Sequence, residues 1–103
     1  MIPLFQKHQQ EIAHFIKSAG VSYLAVFGSQ ARGDALPDSD VDLLVDYRIK
    51  NDLFDVANHQ MLLEKMLQKK VDLVTVDGLN KKIAPYIKDD LRVIYEEKSS
   101  VLS

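Results

Sequence analysis

The chain begins with a helical pattern of apolar residues and continues as short apolar runs separated by polar stretches. After Pro3, apolar positions recur at steps of three and four, and Gly20 is placed to end that helix. Four short apolar runs, at residues 21–27, 41–45, 71–76 and 92–95, predict strands. The stripe of the first helix consists of Phe5, His8, Ile12, Phe15 and Ala19.

Two more helices are predicted between the later strands. Asn51 or Asp52 can cap the first of them, and the second spans about residues 79–88, after an Asp77-Gly78 turn. The segment 28–38 is rich in small and turn-forming residues and predicts a loop. The apolar face of the helix after Asp52 consists of Leu53, Val56, Ala57, Leu63, Met66 and Leu67.

Strands therefore alternate with helices, which is typical of an α/β sheet covered by helices. With 103 residues and no internal repeat, we expect a single domain over residues 1–98 and a frayed tail over residues 99–103. There are no cysteines, which excludes disulfides and thiolate metal sites and fits a reducing cytoplasm.

Charge and hydropathy exclude several classes of partner. No apolar stretch is long enough for a signal peptide or a membrane span, so we expect no membrane association. Lys and Arg total 13 against 15 Asp and Glu, a net charge of -2, whereas sequence-independent binding of long nucleic acids needs a basic face. We therefore expect no direct nucleic-acid binding.

Two aspartates at the start of the second predicted strand form the first candidate site. Side chains on a strand alternate between faces, so Asp40 and Asp42 project to the same side, about 7 Å apart at Cα. Two such carboxylates repel each other, and magnesium is the ion that prefers a few carboxylate oxygens completed by water and substrate phosphates. The pair indicates a phosphate-bearing substrate, although alone it is equally compatible with a solvated strand entrance.

The loop after the first strand supplies the other half of the site. Gly28 lets the backbone approach a ligand, and Ser29 offers a hydroxyl and an N–H. A helical turn over Ser29 to Arg32 would direct free N–H groups at a phosphate, and Arg32 would add a planar cation. Both halves then lie at one edge of the sheet, where open α/β folds bind ligands. Each feature has an ordinary structural explanation, but their combination should arise by chance in roughly one chain per thousand.

This combination resembles a known superfamily. Gly28-Ser29, ten residues, then Asp40-x-Asp42 is similar to the signature of DNA polymerase β-type nucleotidyltransferases. The longer strings GSQARGD from Gly28 and DSDVDLLV from Asp38 resemble its minimal nucleotidyltransferase (MNT, or MntA-like) branch, and the resemblance covers residues 21–95. It implies the polymerase β-like fold with a small mixed sheet, ATP as substrate, and two magnesium ions.

The resemblance also implies a third metal-binding carboxylate within a Val-Asp-Leu-Val segment. Residues 71–74 match that segment and make Asp72 the candidate, with Asp77 as a rival. Asp77 lies at an odd offset from Asp72, and therefore on the opposite face of a straight strand. By the same resemblance, Asp40 and Asp42 hold the ion of the triphosphate, and Asp72 joins them at a second ion that activates the acceptor.

The implied activity is transfer of AMP onto a protein hydroxyl. The partner suggested by the resemblance is a HEPN-domain ribonuclease toxin, modified on a tyrosine, with the chain acting as its antitoxin. Two alternatives remain, a transferase for a small-molecule hydroxyl and an antitoxin that only docks. Tyr47, which follows the second strand, is a minor candidate for contact with the base.

Overall fold

The computed structural model describes residues 3–78 and 89–97. The predicted helix at 79–88 and the predicted tail at 99–103 lie outside them. In chain order the described elements are α1 (Pro3–Lys7), α2 (Gln9–Ala19), β1 (Val21–Phe27), α3 (Ser29–Arg32), β2 (Val41–Tyr47), α4 (Leu53–Leu67), β3 (Val71–Thr75) and β4 (Arg92–Glu96).

The described strands form one sheet in the order β3-β2-β1-β4. β1 runs antiparallel to both β2 and β4, whereas β2 and β3 are parallel. The parallel pair is joined through α4, because a crossover between parallel strands needs a connection that a tight turn cannot provide. The sheet is therefore mixed, and the predicted α/β class is confirmed.

The helix predicted before Gly20 is divided in two. α1 and α2 meet at His8, whose backbone leaves the helical region (φ -106°, ψ 24°). A spacing of three and four residues could not reveal this break, because both short helices keep the same stripe toward the sheet. Gly20 ends α2 as predicted, with φ 69° and its N–H donated to the carbonyl of Ile16.

The hydrophobic core lies on one face of the sheet, under α1, α2 and α4. Within β2, Val41, Leu43 and Val45 are buried there, so Asp42 between them projects from the opposite face. The core residues are Phe5, Ile12, Phe15, Ile16, Val21, Leu24, Val26, Ala31, Val41, Leu43, Val45, Leu63, Leu67, Val71 and Leu73.

The cap of α4 is as predicted, but part of its predicted apolar face is wrong. The Asp52 carboxylate accepts a hydrogen bond of 2.8 Å from the N–H of Asp55. Leu63 is buried, whereas Leu53 is 85% exposed and Ala57 is also exposed. Each residue of a helix turns by about 100°, so the ten positions from Leu53 to Leu63 fall about 80° short of three full turns. Leu53 therefore points away from the side of α4 that meets the sheet.

Within residues 3–78 and 89–97, no helix is long and apolar enough to cross a membrane.

Candidate active site

Three strand ends meet at one edge of the sheet. β1 arrives there with Phe27, while β2 and β3 begin there, at Val41 and Val71. The sequence predicts a site at the usual edge of open α/β folds, where ligands lie beyond the carboxyl ends of strands. That prediction is wrong for β2 and β3, because β1 and β2 are antiparallel and the site is at the amino ends of β2 and β3.

Asp42 and Asp72 are direct neighbours in the parallel register of β2 and β3. Adjacent strands lie about 4.8 Å apart. Each aspartate follows a buried valine, Val41 or Val71, so both carboxylates project from the face opposite the core. Asp72 is exposed, and Asp42 is half-buried between Asp72 and Phe27, its partner on β1. The structure thus brings together two carboxylates that are 30 positions apart in the chain.

Burial and neighbouring negative charges disfavour the ionised form of Asp42. Its pKa is raised above the usual value, first by burial, then by the charges of Asp72 and of Asp40, which is exposed just before β2. The guanidinium of Arg32 acts in the opposite direction and lowers it. The charge of Arg32 is therefore outweighed, and the ionised Asp42 carboxylate is only partly compensated at this edge of the sheet.

Gly28 is packed directly against this carboxylate. A Cβ built on residue 28 would overlap Oδ2 of Asp42 and lie 3.4 Å from its Cγ. The backbone of Gly28 has φ 73° and ψ -153°, a region that is essentially restricted to glycine. Residue 28 must therefore be glycine for two independent reasons, steric and conformational.

The turn predicted after Gly28 is present as α3. The N–H groups of Ala31 and Arg32 both donate to the carbonyl of Gly28, at 3.1 Å each. The first N–H groups of a helix have no intrahelical acceptor, so those of Ser29 and Gln30 are directed out of the start of α3. Together with the half-buried Ser29 side chain, they can receive phosphate oxygens beside Asp42.

Arg32 is held from two sides by acidic side chains. Its Nε donates to Asp34 at 3.1 Å, and its Nη1 donates to Asp90, before β4, at 2.9 Å. These contacts leave the donors of Nη2 without an acceptor among residues 3–78 and 89–97. Sequence reasoning missed Asp90, which lies 58 positions from Arg32 and carries no local signal.

The donor set fits a magnesium ion. Among the described residues, no three His, Cys, Asp or Glu side chains are already gathered into a metal cage. Asp72, the register neighbour of Asp42, and Asp40, just before β2, instead lie near enough for their charges to add to the effect of burial and raise the pKa of Asp42. An open set of carboxylates with room for phosphate oxygens and water is what magnesium uses, unlike ions that need a closed protein cage.

The minor candidates lie elsewhere. Asp77 follows the far end of β3, which is Thr75, in an exposed turn. Tyr47 ends β2, five positions from Asp42, roughly 16 Å along the strand and on the core side. Its hydroxyl lies 2.8 Å from Nδ1 of His59 on α4. Tyr47 is therefore a packing residue, and the suggested contact with the base is wrong.

Comparison with known proteins identifies the family of this chain. The model of the nucleotidyltransferase domain family matches residues 9–100. Protein adenylyltransferase MntA of Thermococcus cleftensis is 43% identical over 65 residues, which cover 63% of this chain and 66% of that protein. A relative from Methanocaldococcus jannaschii, provisionally named a protein adenylyltransferase, is 32% identical over 88 residues, covering 85% of this chain and 84% of the relative.

Solved structures share the fold. A chain provisionally described as a minimal nucleotidyltransferase superposes with a TM-score of 0.72 at 31% identity, over 85% of this chain and 90% of that one. A toxin–antitoxin crystal structure with AMP-PNP superposes with a TM-score of 0.76 at 17% identity, over 87% of this chain and 74% of that one. A Shewanella oneidensis complex of a tri-AMPylated HEPN toxin with its MNT antitoxin contains a chain that superposes with a TM-score of 0.69 at 16% identity. The match covers 88% of this chain and 71% of that one. With the domain model spanning most of its residues, this chain belongs to the nucleotidyltransferase domain family.

Proposed function

We propose that this chain transfers AMP from ATP to a hydroxyl side chain of a partner protein. The observation that carries the proposal is the row formed by Gly28, Asp42 and Asp72 across three strands. It packs the glycine that follows β1 directly against a carboxylate of β2, and a second carboxylate, on β3, lies beside the first. Such a row suits a phosphoryl group held against metal-binding oxygens, and has no evident role in a protein that only docks.

In this proposed reaction, each site residue has a separate role. Asp40 and Asp42 would hold the magnesium ion of the triphosphate, and Asp72 would join them at a second ion. Magnesium supplies charge neutralisation for the leaving pyrophosphate and lowers the pKa of the acceptor hydroxyl. The N–H groups of Ser29 and Gln30, at the turn that Gly28 opens, orient the triphosphate, Arg32 adds a donor for its oxygens, and Asp72 accepts the acceptor's proton.

The relatives support ATP and a protein acceptor. The Thermococcus cleftensis relative is named a protein adenylyltransferase, and one structural neighbour was solved with AMP-PNP. Another contains a HEPN toxin that carries AMP groups, bound to its MNT antitoxin. We infer that the partner of this chain is a HEPN-domain toxin and that the acceptor is a tyrosine hydroxyl. AMP there adds bulk and negative charge where RNA phosphates would bind.

The experiment incubates the chain with the protein encoded by the neighbouring gene, ATP and magnesium, and measures the intact mass of that protein. We expect the added mass of one or more AMP groups, located on tyrosine by peptide sequencing. Asp42→Asn should abolish the addition and Asp77→Asn should retain it. GTP, CTP and UTP in separate reactions test the choice of ATP.

Two results would contradict the proposal. An unmodified partner together with brisk modification of a small-molecule alcohol would favour the small-molecule transferase. Inhibition of the toxin by Asp42→Asn at full strength, with no modification by the wild type, would favour an antitoxin that acts by docking alone.

A further inference from the structure

An open groove runs along β4, on the helix-covered face of the sheet and apart from the carboxylates. Its volume is about 700 Å³, and it lies between α1 and α2 on one side and residues 92–95 on the other. Phe5, Ile12 and Ile16, which are buried in the core, form its apolar floor. Because little of these three side chains is exposed, the apolar surface open to a chain that enters from the β4 edge comes mainly from the exposed lining residues Ala13 and Val93.

β4 is an edge strand within the part of the sheet that the structure describes. β1 pairs with one side of it, and no described strand pairs with the other. Its register with β1 shifts between Val93 and Tyr95, so β4 is irregular at Ile94, and its outer N–H and C=O groups on either side of that position can pair with an added extended chain. Val93, in the middle of the strand, is 54% exposed, so the edge also carries apolar surface.

Positive charges mark the two ends of the groove. Arg92 starts β4 and pairs in register with Val26, near the site end of β1. Lys17 lies in the last turn of α2, which leads into the start of β1. Both side chains are exposed, and neither forms an ion pair with a carboxylate among residues 3–78 and 89–97. Arg48, also on the rim, is bound to Glu97 at 2.8 Å.

We propose that this groove binds an extended segment of the acceptor protein, added as a strand to the free edge of β4. The segment is about five residues long, to match β4, with apolar residues at alternate positions and a carboxylate near each end. The inference rests on the proposed function in that the acceptor is a protein. Since Arg92 neighbours Val26, two residues before Gly28, a segment bound here holds its protein beside α3.

The free edge and the spacing of the charges select this occupant over others. An acyl chain would use the apolar floor but has no backbone to pair with β4. A helix satisfies its own N–H and C=O groups and would leave the edge of β4 unpaired. A carboxylate at each end complements Arg92 and Lys17 separately, whereas a single anionic headgroup could reach only one of them.

The test is an NMR titration of the uniformly labelled full chain, without nucleotide, with the capped peptide EITVTIE and its charge-reversed form KITVTIK. We expect saturable shifts in α2 and β4 for EITVTIE only. The variant Lys17→Glu/Arg92→Glu changes two exposed side chains and should retain the fold. It should bind EITVTIE about tenfold more weakly and should gain binding of KITVTIK.

Two controls keep this result separate from the proposed activity. Phe54→Ser alters an exposed apolar residue on the outer side of α4 and should leave peptide binding unchanged. Asp42→Asn should lose AMP transfer and keep peptide binding, so failure of either idea is visible without the other. Equal binding of both peptides, shifts confined to α4, absence of saturable binding, or occupation of the groove by a second copy of the chain would each overturn the inference.

Discussion

The Cα of Gly28 packs directly against the carboxylate of Asp42. A Cβ added at residue 28 would overlap Oδ2 of Asp42. Gly28 directly follows β1, and Asp42 lies on the neighbouring antiparallel strand β2, where it pairs with Phe27. In the proposed function, this close approach would place a phosphate at the start of α3 next to a metal ion at Asp42.

Replacement of Gly28 by alanine should disrupt both the fold at this edge and the site. The new Cβ meets Asp42, and the backbone at φ 73° and ψ -153° is strained for alanine. We expect a loss of roughly 2 kcal/mol or more in the free energy of unfolding, with AMP transfer abolished. Urea denaturation and the partner-mass assay measure these effects.

Gly33→Ala is the matched control. Gly33 also has a positive φ, 83°, but nothing lies within 4 Å of a Cβ built there. We expect a loss of about 1 kcal/mol from backbone strain alone, with transfer retained. Equal losses of stability and activity in both variants would show that contact with Asp42 is unimportant.

Asp42→Asn should raise the melting temperature of the metal-free protein by a few degrees near pH 7. Because folding raises the pKa of Asp42, its protonated form is favoured in the native state. Its contribution to stability is therefore present below the unfolded pKa and is lost as pH rises through the folded pKa. Thermal denaturation at about pH 4 and about pH 7 should show the advantage of Asn only at the higher pH.

With magnesium added, the wild type should have a higher melting temperature than Asp42→Asn, because the ion stabilises only a protein that binds it. Asp38→Asn, in the same loop and exposed, serves as control. A melting temperature for Asp42→Asn below that of the metal-free wild type at neutral pH would contradict the explanation by charge repulsion.

Asp72→Asn should cut AMP transfer sharply while nucleotide binding survives. Asp72 is the parallel neighbour of Asp42, whereas Asp40 and Asp42 remain available to the ion of the triphosphate. Asp77→Asn should be close to neutral for transfer, since Asp77 follows the far end of β3. Fluorescent ATP-analogue binding and the transfer assay separate the two effects, and the reverse pattern would assign the third carboxylate to Asp77.

Asp90→Asn should weaken nucleotide binding through Arg32. Asp90 holds Nη1 of Arg32 at 2.9 Å, and an unheld guanidinium loses its orientation toward a phosphate. We expect the KM for ATP to rise by about threefold to tenfold with kcat little changed, and Asp90→Glu to restore it in part. In an Arg32→Gln background, Asp90→Asn should have no further effect. Additive effects in the double variant would rule out action through Arg32.

The contact between Tyr47 and His59 should limit stability at both ends of the pH scale. Burial is the main cause of both shifts: it lowers the pKa of His59 below 6.5 and raises that of Tyr47 to about 12. Folding therefore favours neutral His59, whose contribution is lost as pH falls below 6.5. It also favours protonated Tyr47, whose contribution is lost as pH rises from 10 toward 12.

Tyr47→Phe should cost about 1 kcal/mol at neutral pH and leave AMP transfer unchanged, because the pair lies at the opposite end of β2 from Asp42. His59→Gln should flatten the acid side of the stability profile. Loss of transfer in Tyr47→Phe with normal stability would return this residue to the list of site candidates.

The local features of this protein follow from its sequence because their causes are local. Gly20 ends a helix through its own backbone freedom, and Asp52 caps α4 through an N–H three residues away. The spacing from Gly28-Ser29 to Asp40-x-Asp42 likewise concerns one loop between two paired strands, so the motif can be identified without a structure.

The remaining features depend on which strands become neighbours, and the sequence pattern does not determine strand order or direction. The parallel pairing of β2 with β3 sets Asp72 beside Asp42. Because β1 and β2 are antiparallel, the site lies at the amino ends of β2 and β3 rather than at their carboxyl ends. Asp90 reaches Arg32 only because β4 lies on the other side of β1. These contacts join residues about 30 to 60 positions apart, and their formation depends on burial of the whole apolar face, which no local segment encodes.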